Sequence, residues 1–259
     1  MGAHRPRRQA EGAFRLNAST AKEETTAARD EPREEFARRR LYGRSKGKAL
    51  RRRQTELLDE LLPRLLLDLA SPGGAPEALF AAPVRDVWLE IGFGGGEHLI
   101  AAAAQHPDVG FIGCEPFVNG MARLLARIDA GGATNVRLHA GDATQVIDWL
   151  PEASLGRVFL FYPDPWPKRR HRKRRFVSHE TLEKLARVMK SGAQLRFATD
   201  IDDYAGWTLA RIRASTDFSW TAATADDWLL SWEGWTRTKY EAKAMAAGRK
   251  PVYLTFVRR

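Results

Sequence analysis

The chain has 259 residues, 44% of them hydrophobic, and 42 Lys and Arg against 32 Asp and Glu give a net charge of +10. That length holds one large α/β domain with an extension, and that apolar content excludes wholesale disorder. The charge calls for a polyanionic partner, and a single cysteine, Cys114, excludes an intrachain disulfide and a cysteine-based metal site.

Residues 1–37 mix Arg, Glu, Ala and Thr with almost no large apolar side chains. Such a stretch cannot offset its ordering entropy and is expected to be a disordered tail, with residues 38–259 as the folded domain. The tail has arginines but no apolar core behind them, so it is not a secretory signal. No apolar run nears the roughly 20 residues that cross a bilayer. A reducing, cytoplasmic setting without a membrane partner is the expectation.

Residues 38–53 are densely basic and open an amphipathic helix on which Leu57, Leu58, Leu61, Leu62 and Leu65 recur at helical spacing. Ser71-Pro72-Gly73-Gly74 reads as a loop. Strands and helices then alternate. Strands are expected at Val84–Ile91, Val109–Cys114, Val136–His139, Val158–Phe161, Leu195–Thr199 and Val252–Val257. Helices fall between them at Leu99–Ala104, Phe117–Ile128, Ala143–Leu150, Thr181–Met189 and Tyr204–Arg213. Crossovers of this length favour parallel pairing with right-handed connections. The expected fold is therefore α/β, a doubly wound, mostly parallel sheet with helices on both faces.

The first strand runs into Leu89-Glu90-Ile91-Gly92-Phe93-Gly94-Gly95-Gly96-Glu97. Gly92 and Gly94 let the backbone turn tightly and let a ligand approach without a Cβ in the way. A dinucleotide loop wants glycine at the sixth position, where this chain has Glu97, a carboxylate that repels a pyrophosphate. That disfavours a nicotinamide-dependent enzyme. With Glu90 nearby, the loop suits a cationic ligand, and S-adenosylmethionine carries a sulfonium and an ammonium. Glu115 follows the second strand, where an acid commonly accepts from ribose hydroxyls, and Asp142 follows the third, placed for an adenine edge. Each acid could equally be a helix cap.

The fourth strand empties into Tyr162-Pro163-Asp164-Pro165-Trp166-Pro167-Lys168, followed by Arg169 to Arg175 with one histidine and one lysine among the arginines. Prolines at alternate positions fix φ and are expected to force an extended path that holds Asp164 and Trp166 where a methyl donor should lie. Trp166 reads either as a stacking surface for a base or as an anchor for the loop. Cations this dense repel one another unless a polyanion neutralises them.

Together these motifs resemble the tRNA (guanine-N7)-methyltransferases, of the Rossmann-like class I methyltransferase fold. The resemblance rests on Leu89-Glu90-Ile91-Gly92, Gly113-Cys114-Glu115, the Pro163–Lys168 block with its basic tail, Thr199-Asp200 and Thr238-Lys239-Tyr240-Glu241. It implies transfer of a methyl group from S-adenosylmethionine to guanine N7 in tRNA, at position 46 of the variable loop. It further implies that Glu90, Glu115, Asp142 and Asp164 contact the cofactor, with Asp164 also catalytic. Lys168, Asp200 and Thr238, Lys239, Tyr240 and Glu241 become substrate contacts. Arg170, His171, Arg172, Lys173, Arg174 and Arg175 become the RNA-binding run. No metal is expected, and nothing in the pattern separates a monomer from a homodimer.

Residue by residue, Thr238 with Glu241 three positions on also reads as a capping box. Trp228, Trp232 and Trp235 read as core, and the acids at Asp200, Asp202 and Asp203 as caps of the next helix rather than metal ligands. Two other functions compete with the resemblance. One is methylation of an exocyclic amine, whose enzymes carry Asp/Asn-Pro-Pro and an aromatic where this chain has Pro165-Trp166. The other is an RNA-binding protein that keeps the scaffold without catalysis, against which the four retained acids count.

Overall fold

The computed structural model describes residues 47–71, 73–131 and 133–259, so the expected tail and the basic residues 38–46 lie outside the described residues. In chain order the elements are α1 (Arg52–Glu60), α2 (Leu62–Leu65), β1 (Asp86–Ile91), α3 (Glu97–Gln105), β2 (Val109–Cys114), α4 (Val118–Gly131), β3 (Val136–His139), α5 (Ala143–Trp149) and β4 (Leu155–Phe161). They continue with α6 (His179–Val188), β5 (Met189–Thr199), α7 (Asp202–Ala214), β6 (Phe218–Trp220), α8 (Asp226–Leu229), α9 (Lys239–Ala246) and β7 (Val252–Arg258).

The seven strands form one sheet in the order β3-β2-β1-β4-β5-β7-β6. β1 to β5 pair in parallel, whereas β7 runs antiparallel to both β5 and β6. This is the doubly wound sheet of the Rossmann-like class I methyltransferase fold. Side-chain alternation divides the core in two. Val87, Leu89 and Ile91 of β1 join Val158 and Leu160 of β4 on the face covered by α5, α6 and α7. Trp88, Phe159 and Phe161 turn to the other face, where Leu57 of α1, Leu99 of α3 and Leu124 of α4 cover them. Trp228 packs against the first core, and Trp232 and Trp235 against the second.

Three expectations are corrected. The leucine-rich helix breaks at Leu61 because Pro63, in the first turn of α2, has no N–H to continue the ladder. β5 begins six residues earlier than expected, at Met189, with a register shift against β4 near Gly192, whose φ is +79°. The acids after β5 do not cap α7: its cap residue is Ile201 with no side-chain bond, and Asp202 and Asp203 lie in the first turn, where the helix dipole favours them. Among the described residues no helix is long and apolar enough to cross a membrane. None of their His, Cys, Asp and Glu side chains form a group of three or more that could hold a metal ion.

Candidate active site

The sheet order puts β1 between β2 and β4, so the winding direction reverses there and a crevice opens beyond the strands' carboxyl ends. A cavity of about 570 Å³ fills it, lined by Gly92 after β1, Glu115 after β2, Asp142 after β3 and Asp164 after β4. A volume of that order suits a ligand of nucleoside size.

Gly92 and Gly94 have φ of +71° and +62°, in the left-handed region that disfavours a side chain. A Cβ on Gly92 would meet nothing within 4 Å, so the loop leaves open space for a ligand. On Gly94 a Cβ would stand 3.0 Å from the Tyr240 ring, which therefore roofs the loop. The Gly94 amide donates to Glu115 Oε2 at 2.6 Å and the Phe117 amide to Oε1 at 2.9 Å. Burial pushes the Glu115 carboxyl above the ordinary carboxylate range, against the pull of those two amides. Each oxygen keeps a lone pair for a ligand hydroxyl. Asp142 combines the two roles weighed for it, because its Oδ1 caps α5 by accepting from Thr144 N at 3.0 Å while the residue lines the cavity.

Glu90 is placed differently. It shares the parity of Trp88, so its side chain turns toward α3, where Oε2 meets His98 Nδ1 at 2.7 Å with both residues buried. His98 in turn packs against the rings of Phe159, Phe161 and Trp235. Glu90 thus braces the wall from behind, and the sequence reading missed His98, whose signal is that strand parity.

The Pro163–Pro167 segment is not uniformly extended as expected. Tyr162 and Trp166, each before a proline, have φ of +49° and +42°, costly for side chains this large and held only by surrounding contacts. The two reversals leave Asp164 exposed at the cavity mouth. The apolar walls around its carboxyl push it above the ordinary range.

The basic run forms a 3-10 helix, Arg169–Arg174, that leaves Arg170 and Lys173 exposed, with Lys168 just ahead of it exposed as well. Arg172 pairs with Asp203 at 2.7 Å. The Arg174 guanidinium lies 4.9 Å from the Trp166 ring, and the His171 ring meets Trp166 at 5.9 Å, so the indole fastens the turn to the proline loop. The His171 ring resists protonation, through desolvation and the cations Arg174, Arg170, Lys168 and Lys173 around it. Arg175 overturns its assignment to the RNA-binding run. Its side chain has no exposed surface with which to meet a phosphate. Its Nε donates to the Pro165 carbonyl at 2.8 Å, its Nη2 pairs with Asp203, and its guanidinium stacks over Tyr204 and Trp207.

On the far side, Asp200 follows β5 and pairs with Arg249. Thr238 Oγ1 caps α9 by accepting from Glu241 N at 3.2 Å. The reciprocal arm of the expected capping box is replaced. The Glu241 carboxylate is buried and accepts from Trp235 Nε1 at 2.6 Å and from the Tyr253 hydroxyl at 2.8 Å. The Lys239 ammonium lies 4.8 Å from the Tyr240 ring, and burial and nearby Arg123 lower its pKa. Within the Thr238–Glu241 block it is Tyr240 that lines the cavity.

A family model described as "Putative methyltransferase" matches residues 84–254, from just before β1 into β7. The tRNA (guanine-N(7)-)-methyltransferase of Chelativorans sp. (strain BNC1) is 55% identical over 219 residues, covering 84% of this chain and 94% of that protein. That of Bradyrhizobium diazoefficiens is 53% identical over 232 residues, covering 89% and 98%. The chain belongs to the tRNA (guanine-N7)-methyltransferase family. The protein of that name from Rhizobium meliloti (strain 1021) is 55% identical over 219 residues, covering 84% and 94%. The acids at the strand ends line one cavity of this chain, and the basic turn packs on Trp166 of the loop that carries Asp164.

Proposed function

We propose that the chain transfers a methyl group from S-adenosylmethionine to N7 of guanine in tRNA, at position 46 of the variable loop, in the cytoplasm. One observation carries the reading. The acid at the cavity mouth, Asp164, and the exposed cations of the basic turn sit on one continuous loop, and the Arg175 bond to the Pro165 carbonyl ties the turn to that loop. A donor pocket and a polyanion surface are thereby held in fixed relation.

When bound, S-adenosylmethionine supplies an electrophilic methyl group on a cationic sulfur. Glu115 would hold its ribose hydroxyls and Asp142 its adenine edge, and Gly92 leaves room for its chain. Guanine N7 has a lone pair and no proton, so the chain needs no general base. Its main contribution is alignment, which can supply about 7–11 kcal/mol. The methylated base is cationic, and the fixed Asp164 carboxylate stabilises that charge as it develops. Lys168, Asp200, Lys239 and Tyr240 meet the tRNA, and Thr238 and Glu241 act by holding Tyr240 in place.

The test is to incubate the chain with labelled donor and an unmodified tRNA, digest the RNA and identify the labelled nucleoside by mass. The expected product is 7-methylguanosine mapped to position 46. N6-methyladenosine as the product would reject the reading in favour of an exocyclic-amine enzyme, and tRNA binding without transfer would favour a non-catalytic scaffold.

A further inference from the structure

A second cavity, of about 540 Å³, runs along the face of α9 that carries Glu241 and Met245. Tyr240, one residue round the helix, lines the donor cleft, so α9 borders both. The walls include Leu229, Leu230 and Met245, which are 43%, 62% and 46% exposed. These are three of the six exposed large hydrophobic side chains among the described residues, gathered at one place. The same walls carry Arg237, Arg249 and Lys250. Their one acid is Glu241, whose oxygens are engaged by Trp235 and Tyr253 and which pairs with Arg237 at 3.7 Å.

With Arg249 paired to Asp200, the rim keeps Lys250 as its cation without a carboxylate partner among the described residues. An apolar floor edged by that ammonium matches a ligand that has a flat, weakly polar face and an anionic backbone. A purely apolar protein partner would leave the Lys250 ammonium without counter-charge. The groove is also continuous with the site. Arg249 reaches from its rim to the carboxylate of Asp200, the acid proposed above to meet the tRNA. We propose that this groove seats an unpaired nucleotide of the tRNA beside the target guanine, its phosphate on Lys250 and its base against Leu229, Leu230 and Met245. The proposal rests on the functional reading above only for the identity of the RNA.

The experiment compares the Lys250→Ala chain and the Leu229→Ala/Leu230→Ala chain with the original, using an unmodified tRNA transcript in fluorescence anisotropy across a salt series. Calorimetry with S-adenosylmethionine and thermal melts run in parallel. Lys250→Ala should lower the slope of log affinity against log salt by about 1. The double leucine variant should weaken tRNA binding about fivefold. Both should keep donor affinity and melting temperature, because the side chains removed are exposed. Wild-type affinity and slope in both variants would overturn the proposal. So would a chain that sediments as a dimer and that Leu230→Glu turns into a monomer with unchanged tRNA affinity, since the face would then join two copies. If the original chain binds tRNA through the groove yet forms no 7-methylguanosine, the functional reading fails while the groove stands. If it methylates and the variants bind as well as it does, the groove fails alone.

Discussion

Asp164 carries an unusual combination for a single residue: an exposed position, an apolar setting and a carboxyl shifted upward. Above the shifted pKa the group is charged in both the folded and the unfolded chain, and its desolvation counts against folding. As pH falls through that pKa the folded chain takes up the proton first and the cost is relieved. Asp164→Asn is therefore expected to melt slightly higher than the original chain at neutral pH, with the difference closing in acid. In single-turnover assays the same change should slow methyl transfer about 100-fold while leaving tRNA affinity intact. The original chain should lose activity on the acid side at a higher pH than an ordinary carboxylate would give, and the variant should lack that limb. Equal turnover would remove Asp164 from the chemistry. Glu115→Gln should weaken donor binding about tenfold in calorimetry, since a neutral amide is the poorer acceptor for ligand hydroxyls. That Glu115, Asp142 and Asp164 share one cavity was legible in the sequence, because each stands just past a strand and the sheet delivers strand ends to one crevice. The pairing of Glu90 with His98 was not, because Glu90 lies within β1, where parity rather than proximity decides which way a side chain turns.

The loop from Tyr162 to Arg175 is the element in which like residues have unlike work. Arg170 and Lys173 face outward, whereas Arg175 is sealed beneath them against Tyr204 and Trp207. Arg175→Ala should cost about 2–4 kcal/mol of stability by stranding the Pro165 carbonyl and opening a void against Tyr204 and Trp207, while Asp203 keeps Arg172, seen as a lower denaturant midpoint. The Arg170→Ala/Lys173→Ala chain should melt as the original does and bind tRNA with a shallower salt dependence. Matching midpoints for the two variants would mean that Arg175 has no special structural part. A run of cations announces its charge in sequence, but which of them is buried depends on α7, a helix nearly thirty residues further on, and that partner cannot be read locally. The same holds for the break between α1 and α2, where Pro63 was visible but the leucine spacing ran through it.

At the scale of the molecule, a net charge of +10 and a cationic turn beside the cleft make association with tRNA strongly salt-dependent. With about six phosphates neutralised, affinity should fall roughly 10³-fold between 50 and 200 mM salt, and a fall under about tenfold would contradict a charge-led interface. The alternation of strands and helices made β1 to β5 and their parallel order readable. The reversal of β7 and the insertion of β6 were not, because three residues are too few to establish a period and a strand's direction is set by the path that returns to it. One contact has a wider consequence. Glu115 clasps the amides of Gly94 and Phe117, which belong to two successive crossovers. Both amides should therefore resist deuterium exchange in the ligand-free chain. A seat already set in this way gives up little freedom on capturing its guest, so turnover would be paced by how quickly the spent donor escapes rather than by loops folding around a fresh one.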